Sequence, residues 1–222
     1  MFKFSFGALI LALCASFGFA QSADDYHKFE VFGGYSNNQV ETRVADNSNF
    51  SNGFLKNRES FNGFEFSGVG NLSRYVGIKG DLSGHYKDYT FNAPTSIAPN
   101  TTTNFKVNAS LYNFLGGVQV KDNSTEGSRF RPFGHALIGA GHARAKIDNS
   151  FFSSSFCRQA GVDCRNNVGD SVTGFAAAIG GGIDIKANER LSIRAIQIDY
   201  NPIRLSGETQ NNFRFGVGLV FH

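Results

Sequence analysis

The stretch DLSGHY places Asp81, Ser83 and His85 in an order that could make a nucleophile: an acid, a hydroxyl and an imidazole able to take its proton in hydrolysis or acyl transfer. Their spacing argues otherwise. On an extended chain the three share one face, but successive side chains on that face are about 7 Å apart. Ser83 and His85 therefore do not meet without help from another element, and a hydrogen-bonded interior is the expected use of all three. His135 and His142 differ by an odd number of positions and face opposite sides of a regular strand, so no joint metal site is expected from them. His27 and His222 are terminal and are assigned no function. The run AAAIGGGID is glycine-rich, but no Lys-Ser follows it and no helix opens after it, so it is not read as a phosphate loop.

Cysteine chemistry reduces to one pair. Cys14 lies in the apolar N-terminal stretch GALILALCASFGF, while Cys157 and Cys164 stand in a polar segment with six residues between them. With no neighbouring histidine pair, a disulfide closing a small loop is expected, which presumes an oxidising compartment. The N-terminus agrees with that compartment. Lys3, the apolar stretch and the small residues Gly18 and Ala20 predict a secretory signal peptide over 1–20, with the mature domain over 21–222.

The elements that must hold these side chains are strands. The chain has 24 Phe and 26 Gly but no Trp and four Pro, a composition that suits neither a helical bundle nor a disordered chain. Net charge is +3, too balanced to suggest nucleic acid, and the basic residues form no stripe. No apolar run beyond the N-terminus reaches the roughly 20 residues of a membrane-spanning helix. What recurs is a period of two. Phe29, Val31, Gly33 and Tyr35 alternate with Glu30 and Gly34. Phe64, Phe66 and Gly68 alternate with Glu65 and Ser67, and Val76, Ile78, Gly80 and Leu82 with Lys79, Asp81 and Ser83. Tyr112 to Val120, Phe175 to Lys186, Ile196 to Tyr200 and Phe213 to Phe221 repeat the pattern. Residues 131–145 make a fifth segment whose facing stays open, because both of its faces are small or apolar. Arg194 is out of phase with its strand, which predicts a bulge or a rim position. Short turns follow segments two, four and six. Polar stretches near 36–62, 88–106, 146–170 and 201–211 follow the others. An eight-stranded antiparallel up-and-down barrel gives this alternation of short and long connections.

Composition decides which face meets lipid. The polar face carries Gly174, Ala176, Ala178, Gly180, Gly182, Gly216 and Gly218, residues small enough for a narrow eight-stranded lumen. Its charges are sparse: Glu30, Glu65, Lys79, Asp81, Asp184, Asp199 and Arg214, with Lys186 a further inward cation and Arg194 and Arg144 as additions to it. A buried unpaired charge costs several kcal/mol, so this set should pair across strands. The other face is a band of Phe, Val, Ile, Leu and Gly. Tyr35, Tyr86 and Tyr200 lie at its loop end and Tyr75 and Phe221 at its turn end, as aromatic girdles do.

The closing sequence, Arg214-Phe-Gly-Val-Gly-Leu-Val-Phe221, has the polar residue, glycine, apolar residue and terminal aromatic of an outer-membrane assembly signal, carried by Arg214, Gly216, Leu219 and Phe221. With NLSRYVGIKGDLSGHY it resembles the small eight-stranded outer-membrane β-barrel family that includes the OmpA-like transmembrane domain. The resemblance covers residues 26–222; unlike most of that family, the chain continues past the aromatic, to His222. It implies a transmembrane barrel in the bacterial outer membrane, with short periplasmic turns and long extracellular loops. The expected partners are outer-membrane lipid and, through the C-terminal strand, the assembly machinery. A monomer without cofactor is expected, and no wall-tethering domain is expected after Phe221. Function should then lie in anchorage and in loop-borne surface binding around a plugged lumen. A low-conductance porin is the alternative, and a lipid-modifying enzyme comes third.

Overall fold

A computed structural model describes residues 25–41, 58–94, 102–147 and 169–222. Cys157 and Cys164, and the whole of the N-terminal segment 1–20, lie outside the described residues. Eight strands follow one another: β1 (Phe29–Glu41), β2 (Arg58–Asn71), β3 (Val76–Pro94), β4 (Thr102–Lys121), β5 (Phe130–Ile147), β6 (Gly169–Lys186), β7 (Leu191–Leu205) and β8 (Glu208–Phe221). Each pairs antiparallel with its sequence neighbour, and β1 pairs with β8 from Val31↔Phe221 to Gln39↔Phe213, which closes the barrel. Closure leaves no free sheet edge, the condition for backbone polar groups to cross lipid.

The two faces separate as their composition predicts. Ile78, Phe114, Val118, Ile138, Phe175, Ile179 and Val217 are exposed on the outside, whereas the largest fully buried side chains include Arg131, Arg194, Arg214 and Lys79. The molecule is thus apolar outside and charged inside. The facing of β5, which both small faces left undecided, is now fixed: Leu137 is 1% exposed and points inward, while its neighbour Ile138 is 64% exposed. Arg131, Phe133 and His135 share the inward face with Leu137; His142 lies on the other.

Strand lengths differ from the sequence reading. A tilted strand needs about 9–11 residues to cross the hydrocarbon, but β3 and β4 run 19 and 20 residues. The barrel wall therefore continues beyond the apolar band, where outward positions are polar and the period-two signal disappears. The largest correction concerns residues 201–211, read from sequence as a long connection. They belong to β7 and β8 apart from a two-residue turn, Ser206-Gly207, with φ of 49° and 88°. Glycine takes that second left-handed position without strain.

Candidate functional site

The densest chemistry is inside the barrel. Among the described residues five carboxylates (Glu30, Glu65, Asp81, Asp184, Asp199) and five basic side chains (Lys79, Lys121, Arg131, Arg194, Arg214) are buried, so the bore is charge-balanced when its histidines are neutral. Strand alternation brings most of them there. Arg194 needs a further device. The β7–β8 register shifts between Arg194 and Gln197, so both residues face inward although their numbers differ by an odd step. This is the bulge that its phase implied.

Arg214, on β8, is the hub. Its Nη1 donates to Asp81 Oδ1 on β3 at 2.7 Å, and its Nη2 and Nε donate to Asp199 Oδ2 on β7 at 2.7 and 2.9 Å. Glu65 Oε2 on β2 lies 3.6 Å from Nε. One guanidinium thus ties four strands together, a role suited to its fixed fork of donors. Lys79 Nζ sits 3.9 Å from Asp81 and 4.0 Å from Glu65, and 3.3 Å from His135 Nδ1. His135 Nε2 reaches Asp199 Oδ1 at 2.9 Å. Gln197 donates to Glu65 and Asp199 and accepts from Arg194, linking this cluster to the next.

The second cluster lies nearer the periplasmic end. Arg194 donates to both oxygens of Asp184, at 2.8 and 3.2 Å, and its guanidinium is sandwiched between the rings of Phe32 and Phe133, at 4.2 and 4.1 Å. The Phe32 ring lies across Gly34 and Gly218, and a Cβ on either would strike it. Those two lumen glycines make room for a cation–π sandwich. Lys121 bridges Asp184 at 2.9 Å and Glu30 at 2.7 Å, and His222 reaches Glu30 at 3.2 Å and Ser192 at 2.9 Å. His222 also stacks on His27 with ring centroids 4.4 Å apart. The two terminal histidines, assigned no function from sequence, thus form the periplasmic end of the network. Burial, helped by the charges of His222 and Arg131, holds His27 down to about 4. Arg131 donates to the carbonyls of Ser124 and Ser128 instead of a carboxylate.

All seven charges expected in the lumen are buried there: Glu65, Lys79, Asp81, Asp199 and Arg214 in one cluster, and Glu30 and Asp184 joined by Lys121 in the other. Lys186, expected among the paired inward cations, and Arg144, an expected addition, are part of neither. Lys186 donates to Thr125 O at the rim, and Arg144 is exposed on the outside. Lys121, Arg131, His135 and His222 were missed. Continuing the alternation two residues beyond Gln119 would have found Lys121, whereas Arg131 and His135 needed the facing of β5. Ser83 and His85 are both buried but do not meet: Ser83 accepts from Arg214 and Asn113, while His85 Nε2 pairs with Ser36. Of the terminal signal, Arg214 and Gly216 are buried, whereas Leu219 and Phe221 lie outside in the lipid-facing band.

Towards the extracellular end the interior changes character. A layer of Asn38, Asn113 and Asn201 crosses an apolar cluster that starts at Leu137 and at Leu115, the register partner of Asp81, and continues through Val40, Phe61, Leu111, Ile203 and Leu205. Above it opens a cup of about 340 Å³, lined by Val40, Phe61, Leu111, Val172 and Leu205 and rimmed by Asp170 and Gln210.

The model of the outer membrane protein beta-barrel domain matches residues 7–221. No curated protein matches the sequence significantly. Among solved structures, Ail, the attachment invasion locus protein of Yersinia pestis, crystallised with the heparin analogue sucrose octasulfate, is 16% identical with a TM-score of 0.52. The match covers 87% of this chain and 97% of Ail. Neisserial surface protein A is 11% identical with a TM-score of 0.50, and 88% of this chain and 96% of that one are covered. Likeness at such identity establishes the fold.

Proposed function

From the premise that the chain belongs to the outer membrane protein beta-barrel domain family and resides in the bacterial outer membrane, we propose that it is a surface-interaction barrel with a bore closed to solutes. The observation that carries this reading is Arg214 spanning the bore to Asp81, Asp199 and Glu65. Eight strands enclose a space that side chains can fill, whereas open aqueous channels come with about 16. Long charged side chains held by two or three partners each leave little freedom to move aside. Binding is then the work of the extracellular ends and their connections. Ail, which shares the fold, is described with a bound heparin analogue, a precedent for ligand binding on this architecture. The same reading gives the protein outer-membrane lipid and the assembly machinery, engaged through β8, as partners. It treats the barrel as a monomer without catalytic step, cofactor or nucleic acid.

Planar-bilayer recording of the purified protein tests the proposal. No steady conductance comparable to a porin is expected. A large, stable, ion-selective current would overturn the closed bore and promote a small porin.

A further inference from the structure

The outer surface beyond the girdle is electrically lopsided. Tyr35, Tyr86, Tyr112, Tyr200 and Phe213 form the extracellular aromatic belt, with Tyr86 against Tyr112 at 5.7 Å and Tyr200 against Phe213 at 5.5 Å. Above it, on the half made by β8, β1, β2 and β3, polar groups satisfy one another. Tyr35 donates to Asn62, Asn37 to Ser60 and Asn62, Tyr200 to Asn211, and Arg58 to the carbonyls of Gln39 and Asn211. Glu41 and Asp88 add negative charge to that half.

The half made by β4 to β7 is different. His142 is the Cα partner of the belt residue Tyr112, and Arg144 and Lys146 follow it on the same outward face. Asn108 pairs with Lys146, and Lys106 is the next outward residue on β4. Arg204 stands on β7 beyond Tyr200, beside the exposed Phe175. None of these four cations makes an ion pair among the described residues; the outward carboxylate beside them is Asp88 on β3, the register partner of Asn108, while Asp170, beside Ala145, faces the mouth. Ser110, Ser171 and Thr173 lie between them as further donors.

We propose that this face binds the phosphate groups of a phosphorylated glycolipid of the outer leaflet. Guanidinium and ammonium groups that make no ion pair among the described residues, directly above a lipid-facing apolar wall, match a molecule with acyl chains below and phosphates at the interface. Arginine suits phosphate because its fork donates two parallel hydrogen bonds. The apolar partner is supplied by Phe114, Ile138 and Phe175. The inference rests on the membrane placement and not on the closed bore, so a conductance result leaves it intact.

The test is native mass spectrometry of the folded full chain in detergent with bisphosphorylated lipid A, its phosphate-free counterpart and a heparin fragment. Wild type should retain the bisphosphorylated lipid, and retention should fall about tenfold when both phosphates are removed or in K106Q/R144Q/K146Q. R144Q alone should give a smaller fall, which keeps the test available should the triple variant fail to fold. R129Q/R190Q, which removes exposed cations at the periplasmic end, should bind as wild type does. Equal retention of the phosphate-free lipid, or undiminished binding by the triple variant, would overturn the proposal. So would loss of heparin binding with lipid A unchanged, which would assign the face to a sulfated polysaccharide.

Discussion

The two ends of the bore are filled in opposite ways. From Glu30 to Arg214 the interior is a charge lattice whose members sit 2.7–4.0 Å from their partners. Towards the extracellular mouth it is an apolar cluster that ends in an open cup. The contrast teaches what each filling can do. Charges held in low dielectric specify their partners, because every mispairing strands a buried ion. Aliphatic side chains specify volume only, and tolerate slack. In our account the lattice is the seal, while the mouth has room to accommodate what the extracellular end binds.

Breaking the lattice should therefore cost most. Arg214→Ala leaves Asp81, Asp199 and Glu65 without their shared cation, and a loss of about 3–5 kcal/mol is expected from removing one partner of a buried pair. Urea unfolding from lipid vesicles would measure it. Val217→Arg probes the outer wall instead: a cation facing lipid at mid-strand should cost about 2–4 kcal/mol, whereas Gly216→Ser on the lumen side should be milder. If Gly216→Ser proves the more harmful in the same assay, the assignment of faces is wrong. In the apolar cluster, Leu111→Ala removes a side chain that already borders the cup. Partial collapse of the wall into that space should hold the loss near about 2 kcal/mol, the low end for such truncations. A loss matching that of Arg214→Ala would erase the distinction between the two ends.

The smallest effect concerns the periplasmic histidine stack. His27 is held at about 4, below the ordinary 6.5, so the unfolded chain takes up the proton first as pH falls. Its contribution is therefore fully present above pH 6.5 and is lost as pH falls towards 4. The unfolding midpoint should decline over that window in wild type and less steeply in His27→Gln. Parallel slopes would remove His27 from the lattice.

Much of this was legible in the sequence because strand alternation sorts side chains without knowledge of pairing. Glu65 and Lys79 announce their face by the phenylalanines and isoleucines beside them. Three features resisted for physical reasons. On β5, Gly134, Ala136, Gly139 and Ala140 occupy both faces, so neither face reads as apolar and His135 could not be placed. Phe32 and Leu115 are large apolar residues inside a charged bore, where composition predicts small ones; Phe32 fits only because Gly34 and Gly218 lie beneath it. At the end of β7 the apolar residues, Ile203 and Leu205, face inward and not outward, and Glu208–Asn212 at the start of β8 is polar on both faces, so the strands there look like a loop. The lattice partners reached across the barrel, such as Arg214 with Asp81, depend on closure of the sheet, which no local pattern encodes. The pair Cys157 and Cys164 remains our proposal of a loop disulfide, with heat-modified gel mobility of the barrel expected to survive reductant.

The most direct test compares the two fillings as seals. Bilayer conductance would be recorded for wild type, Arg214→Ala, Lys79→Ala and Leu111→Ala under one condition. Wild type and Leu111→Ala should be silent, and the two lattice variants should show a small leak. A leak from Leu111→Ala with silence from both lattice variants would place the seal at the extracellular mouth and contradict the lattice as the seal.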